Sequence, residues 1–308
     1  MQLGIVVVYQ AIGEDEELLK IHLNQIDRCT DVPYRIYATA NRSIPEIRAL
    51  LADRPRVRIC NCPSTDLRGK EEHSFYLEEL VKTAVEDGVT HIAILHMDSF
   101  PVLPGWVHYL ADLINDTCVF VSIEPINTCI LFFHRDFYVR FRPRFLLSPE
   151  ELASPLFQAY SDRCHPLLHS GSGYGYRAFT EGFSWHALPT TSMTKENDIG
   201  QVYGDLVFHL RRATYRGRER PTAPLSDGMM RKLVNLWKIT SRWSKAIVPA
   251  KLWYRIPWPA KDFRESLNLF LEKSEYERVK TEMDLVKKRL YQNPEKYLQE
   301  LRGRKDHI

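Results

Sequence analysis

The chain has 308 residues, 44% hydrophobic and 26% charged, with a formal net charge of +3: an ordinary soluble composition, able to bury one large core or a core with an appendage. Disordered and collagen-like chains are excluded by it, and no apolar run reaches the roughly 18 residues of a membrane span. Six cysteines (Cys29, Cys60, Cys62, Cys118, Cys129, Cys164) form no C-x-x-C pair and no disulfide framework, so reduced thiols in a cytoplasmic protein are expected.

The N-terminal "MQLGIVVVYQAIGEDEE" lacks the basic flank and small-residue cleavage site of a signal peptide, and its "LGIVVVY" is predicted as the first strand. Valine- and isoleucine-rich runs then alternate with segments of helical period: "DEELLKIHLNQID", "YRIYATA", "PEIRALLAD", "VRICN", "EEHSFYLEELVKTAVEDG" and "THIAILHMD". That alternation predicts βαβ units, hence an α/β layer with a mainly parallel central sheet flanked by helices. Pro45 marks one helix start and Gly88 one helix stop. "CVFVSIEP" and "TCILFFHRDFYVRF" read as two more strands, and "LLHSGSGYGYRAFTEGFSWHAL" reads as a glycine-rich loop able to approach a ligand closely.

From about residue 225 the character changes, which sets the expected boundary between an α/β domain over 1–224 and a basic, tryptophan-rich, mainly helical extension over 225–308. Between 211 and 255 twelve basic residues face two acidic ones, an imbalance that suggests an anionic partner. Leu233, Leu236, Trp237, Thr240, Trp243 and Ile247 fall on one helical stripe beside Lys232, Lys238, Arg242 and Lys245. Such a helix suits an anionic membrane surface, or packs its stripe on the α/β layer. No nucleic-acid-reading motif accompanies the basic residues, so nucleic acid is not an expected partner. Tyr276, Val279, Met283, Val286 and Leu290 form a short heptad seam, interrupted by Pro294.

One stretch carries chemistry. In an open sheet, ligands sit beyond the carboxyl ends of the strands, and "THIAILHMDSFPVLPGW" ends its strand on His96, Met97 and Asp98. In an extended segment His96 and Asp98 point to one side and Met97 to the core, so a divalent cation can bridge the pair. A hydrogen-bonded histidine at a strand end is the bland alternative.

The phrase resembles the D-x-D element of nucleotide-sugar-dependent glycosyltransferases of the GT-A fold, particularly family-2-like bacterial enzymes, as an H-x-D variant with His96 at the first aspartate position and Asp98 at the second. "GKEEHSFYLEEL" resembles the helix before that strand, and "VYGDLVFHLRRATYRGR" the late segment whose histidine completes the metal site. The resemblance spans roughly residues 1–218. It implies a GT-A-like nucleotide-binding domain, with His96, Asp98 and His209 as metal ligands, and Tyr9, Asn41, His73, Arg211, Arg212 and Arg216 as contacts to the nucleotide sugar.

Imidazole in place of a carboxylate shifts the expected metal toward Mn²⁺ rather than Mg²⁺. For the base that inverting enzymes of this kind need, "HSGSGYGYRAFTEGFSW" offers His169, which stands where the related D-T-G segment has its aspartate, and Glu181; Asp198 is a third candidate. Loop capping is the alternative for each. The implied activity is glycosyl transfer from a nucleotide-diphosphate sugar to a glycan or lipid-linked glycan, as in surface polysaccharide assembly, by a cytoplasmic protein peripheral on the inner membrane face if the basic stripe binds there. The competing readings are a non-catalytic nucleotide-sugar or glycan-binding relative of the same fold, and a nucleotidyltransferase, which the acidic "YQAIGEDEE" after the first strand disfavours.

Overall fold

The computed structural model describes residues 1–9, 16–41, 43–164, 166, 168–192, 199–211 and 279–302. By its contacts the chain divides into two units, Met1–Ala213 with Val286–Ile308, and Thr214–Leu285. Within the second, 279–285 is described and is helical. The expected boundary at 224/225, the basic amphipathic stripe and Tyr276 lie outside the described residues. Helical residues run from 279 to 292 and stop at Asn293, just before Pro294, as the sequence predicts.

The first unit has the expected mixed α/β architecture. Within its main sheet β1 (Leu3–Val8) is an interior strand, every residue of which is buried because helices cover both faces. β2 (Tyr34–Thr39) and β4 (His91–Leu95) flank β1 in parallel, and β3 (Val57–Ile59) extends the parallel edge beside β2. On the other side, β7 (Ile130–His134) runs antiparallel to β4, followed by β6 (Cys118–Ile123) and β8 (Ser184–Leu188). The seven-stranded order is β3-β2-β1-β4-β7-β6-β8.

Alternation along β1 feeds two core layers. Leu3, Ile5 and Val7 meet α1 (Glu16–Cys29), α2 (Pro45–Ala52) and α4 (Trp106–Asp112). Val6 and Val8 meet α3 (Lys70–Glu86), α5 (Arg135–Phe141) and α8 (Ser172–Thr180). Two short helices, α6 (Pro149–Leu152) and α7 (Pro155–Cys164), precede α8.

Two predicted segments differ from expectation. "TCILFFHRDFYVRF" is strand only to His134 and then becomes α5. The His134 side chain caps the new helix by accepting from the Asp136 amide, and Phe137 and Phe141 pack one turn apart with their rings tilted at 48°. The glycine-rich stretch is a helix followed by a strand, not a loop. Its glycines serve packing: a Cβ on Gly173 would lie 2.1 Å from the Arg144 carbonyl oxygen, and one on Gly175 2.3 Å from Ile126 Cδ1.

A second sheet of three strands sits at the carboxyl end of the first. It is built from β5 (Ser99–Pro101), β9 (Gln201–Tyr203) and β10 (Val207–His209) in the order β5-β10-β9. Phe208 is fully buried between Phe100, at 5.1 Å, and Tyr297, at 6.2 Å between ring centroids. Tyr297 belongs to α9 (Pro294–Arg302), which also hydrogen-bonds the Val102 carbonyl through Arg302 at 3.3 Å. Beneath this sheet His22, on the buried face of α1, ties β5 down: its Nδ1 lies 2.9 Å from the Ser99 carbonyl oxygen and its Nε2 3.0 Å from the Tyr9 hydroxyl. A carbonyl only accepts, so Nδ1 carries the proton and Nε2 accepts from Tyr9.

Two outcomes follow. Gly173→Ala costs about 3 kcal/mol in denaturant unfolding, since backbone cannot yield to the added methyl, whereas Gly182→Ala, at φ 77° with open space around it, costs about 1 kcal/mol. Burial pushes the pKa of His22 down to about 3, so its ring stays neutral while the unfolded chain takes up a proton below about pH 6.5. The unfolded state then binds more protons, and stability falls as pH drops from about 6.5 toward 3, by up to about 1.4 kcal/mol per pH unit from this group. Urea titrations across that range read a shallower slope in His22→Gln.

Candidate active site

The polar end of β4 is a turn, where the sequence suggested extended backbone. After Leu95 the Ser99 amide bonds back to the His96 carbonyl at 3.0 Å, and the chain leaves the main sheet to enter the second one. Met97 is buried in the core as expected, while His96 and Asp98 converge because the turn folds them together. The Ser99 hydroxyl accepts from the His96 amide at 2.8 Å and donates to the Cys129 carbonyl at 2.6 Å, so the turn is clamped on both sides.

Strand pairing supplies the third member. In the antiparallel register of β5 and β10, His209 lies opposite Ser99, and the Leu210 amide donates to the Asp98 carbonyl at 2.8 Å. His209 Nε2 comes to 3.6 Å and His96 Nδ1 to 3.8 Å from the same oxygen, Asp98 Oδ1. One ligand atom from each of the three residues lies within 4.8 Å of the other two. Two donors on one ion with bonds near 2.1 Å can stand at most about 4.2 Å apart. Both separations from Asp98 fall within that limit.

The electrostatics suit ligation. Asp98 and His209 are buried, and the His96 side chain is 26% exposed. Burial first, then the neighbouring His73 imidazole, pushes the His96 pKa down to about 3, against the pull of Asp98. Burial and Arg211 bring His209 to about 3 as well. Both rings therefore keep a lone pair at neutral pH, the form a metal binds. Among the described residues, His209 Nδ1 is buried without a hydrogen-bond partner. The donor set of two neutral imidazoles and a carboxylate thus fits a divalent cation of transition-metal character.

Around this cluster the other candidates sort by position. His73, on α3, packs edge-on against His96 with ring centroids 5.2 Å apart. Arg211 directs Nη1 to Gln201 at 3.1 Å, two residues beyond His209. Asn41 lies half-buried two residues beyond β2, but its amide is taken up within the fold, accepting from Thr39 Oγ1 at 2.7 Å and donating to the Tyr76 hydroxyl at 2.8 Å. Tyr9 is turned fully into the core onto His22, so its side chain offers nothing to a nucleotide and instead holds β5 from behind.

His169 is exposed in the turn before α8. The next residue, Ser170, is bonded through its hydroxyl to Ser74 of α3 at 3.0 Å, and Gly171 lies against Thr128, the partner of His96. Glu181 sits at the far end of α8, about 13 Å along the helix, exposed and paired with Arg177 at 3.4 Å. That placement removes it from the cluster. Asp198, Arg212 and Arg216 lie outside the described residues.

Two residues of the site escaped the sequence. His22 shares the helical spacing of the apolar Leu18, Leu19 and Ile26, a pattern that could have marked it as buried. Thr128, whose Oγ1 lies 2.8 Å from His96 Nε2, carries no local signal at all.

No protein-family model matches this sequence, and no curated protein sequence matches it. Among solved structures, the chain is similar to a mannosyltransferase from Pyrobaculum calidifontis solved with GDP-Man and Mn²⁺, at 14% identity and TM-score 0.41, over 61% of this chain and 54% of that one. It is also similar to mouse xyloside xylosyltransferase 1, at 11% identity and TM-score 0.39, over 61% and 85% of the two chains. A third is the galactosyltransferase LgtC with donor and acceptor sugar analogues, at 12% identity and TM-score 0.37, over 59% and 72%. The chain thus spans about half the length of the first of these.

Proposed function

We propose that this protein is a glycosyltransferase, moving a sugar from a nucleotide-diphosphate donor to a glycan or lipid-linked glycan. The observation that carries the reading is the convergence of His96, Asp98 and His209 beyond the carboxyl end of the central strand β4, where open sheets hold their ligands. These three residues would hold a divalent cation, Mn²⁺ in preference to Mg²⁺ because imidazole is the softer ligand. When bound, such an ion neutralises charge on the departing diphosphate.

The remaining chemistry belongs to the chain. His73 and Arg211 flank the cluster and suit the diphosphate as polar and cationic neighbours. In an inverting displacement the acceptor oxygen forms a bond to the anomeric carbon as the bond to the diphosphate oxygen breaks. The nucleoside diphosphate leaves with that electron pair, and the acceptor proton passes to a base. His169 is the described candidate best placed for that role. The basic segment 211–255 favours an acceptor presented on an anionic surface, such as surface polysaccharide under assembly at a membrane. No helix among the described residues is long and apolar enough to cross a membrane.

Thermal unfolding with UDP, GDP, dTDP or CMP, each with and without Mn²⁺, tests the reading. At a hundredfold excess over its dissociation constant the right nucleotide stabilises by about 2.7 kcal/mol. The expected result is one responding nucleotide, dependent on Mn²⁺ and lost in Asp98→Ala; no response to any nucleotide sinks the proposal and leaves a non-catalytic relative. Once the donor class is known, release of its nucleoside diphosphate in the presence of cell-surface glycan acceptors separates the base candidates. His169→Ala lowers kcat by about a hundredfold or more, with donor KM little changed, and Glu181→Ala leaves both near wild type.

A further inference from the structure

The three cluster residues are not supported alike. His209 has a bare Nδ1, whereas His96 has a partner on the ring atom that faces away from Asp98: Nε2 lies 2.8 Å from Thr128 Oγ1. By contrast the 3.8 Å from His96 Nδ1 to Asp98 is too long for a hydrogen bond. A cation at Nδ1 leaves the single proton of a neutral imidazole on Nε2, and Thr128 Oγ1 is placed to accept it.

Thr128 is itself held firmly. It is 1% exposed, in the turn between β6 and β7. Asn127 on one side donates its amide to the Ser122 hydroxyl at 3.2 Å and accepts from the Cys129 amide at 2.9 Å. On the other side the Cys129 carbonyl accepts from Ser99, and the Ser122 hydroxyl closes the turn on the Ile130 carbonyl at 2.8 Å. From above, a Cβ on Gly171, at φ 102°, would stand 3.5 Å from Thr128 Cγ2, so the start of α8 packs directly on this side chain.

We propose that Thr128 is a positioning residue for the metal-binding histidine: its hydroxyl accepts the Nε2 proton of His96 and so turns the Nδ1 lone pair toward Asp98 and the cation. The proposal rests on the metal reading above and adds to it a residue that touches neither the metal nor the substrate. It makes the β6–β7 turn part of the site.

The test is Mn²⁺ titration of the full chain, without nucleotide, by electron paramagnetic resonance. Thr128→Val keeps the shape and removes the acceptor, and weakens Mn²⁺ binding by about 10- to 100-fold. Thr128→Ser restores a hydroxyl and binds within about threefold of wild type. In a His96→Ala background Thr128→Val has no further effect, because the threonine acts through that ring. Urea unfolding of the metal-free variants gives a lower midpoint for Thr128→Val, whose His96 Nε2 loses its partner, with the variant still fully folded in the titration buffer, and a near wild-type midpoint for Thr128→Ser.

Wild-type affinity in Thr128→Val, or an equal loss with and without His96, overturns the positioning role while the metal reading stands. If the wild-type chain binds no Mn²⁺, or Asp98→Ala binds it as well as wild type, the metal reading itself falls and takes this proposal with it.

Discussion

The pairing of β5 with β10 is the contact on which the rest of the site depends. Three residues on each strand meet in antiparallel register, and that register sets His209 opposite Ser99, one residue beyond Asp98. A slip of one residue would turn the imidazole to the other face of the sheet. Such short strands cannot hold register by backbone bonds alone. Phe100 and Phe208 pack on the same face, and α9 returns after the second unit to press Tyr297 on Phe208. The helix α9 is thereby part of the support for a histidine that precedes it by more than eighty residues.

A second constraint lies beneath that sheet, where polar groups are buried in a continuous hydrogen-bonded run. Tyr9 donates to His22, His22 to the Ser99 carbonyl, the Ser99 hydroxyl to the Cys129 carbonyl, and the neighbouring Thr128 meets His96. An unpaired member of such a run costs about 1–3 kcal/mol, so the run specifies one arrangement of α1, the β4–β5 turn and the β6–β7 turn. Neutral histidine suits this position because it donates and accepts at opposite ends of a rigid ring. The residues that fix the site are consequently drawn from four separate stretches of chain.

The composition of the cluster has an electrostatic consequence. Two neutral imidazoles and one carboxylate would leave a divalent ion, if one is held there as proposed, with a single net positive charge, where two carboxylates would leave none. In the proposed reaction that surplus would attract a diphosphate, as would Arg211, which lies close enough to His209 to act on its charge. On that proposal, histidine at position 96 would set the charge of the metal site as well as supply a ligand.

Local pattern determined much of this molecule. The valine-rich runs and helical periods from Leu3 to Leu95 determined the α/β layer, because period and burial are set by near neighbours along the chain. The position of His96 and Asp98 at a strand end was equally legible. What glycine density suggested about "HSGSGYGY" was not met, since Gly173 and Gly175 answer to Arg144 and Ile126, residues far off in sequence. Likewise "HRDFYVRF" turned helical once its aromatic face had a core to meet. His209 could be guessed only from a family phrase; its meeting with Asp98 was decided by strand pairing across more than a hundred residues. Thr128, the withdrawal of Tyr9 into the core and the separation of Glu181 from the cluster were decided by tertiary structure alone, because each depends on which side chain stands opposite in space, and no local pattern encodes that.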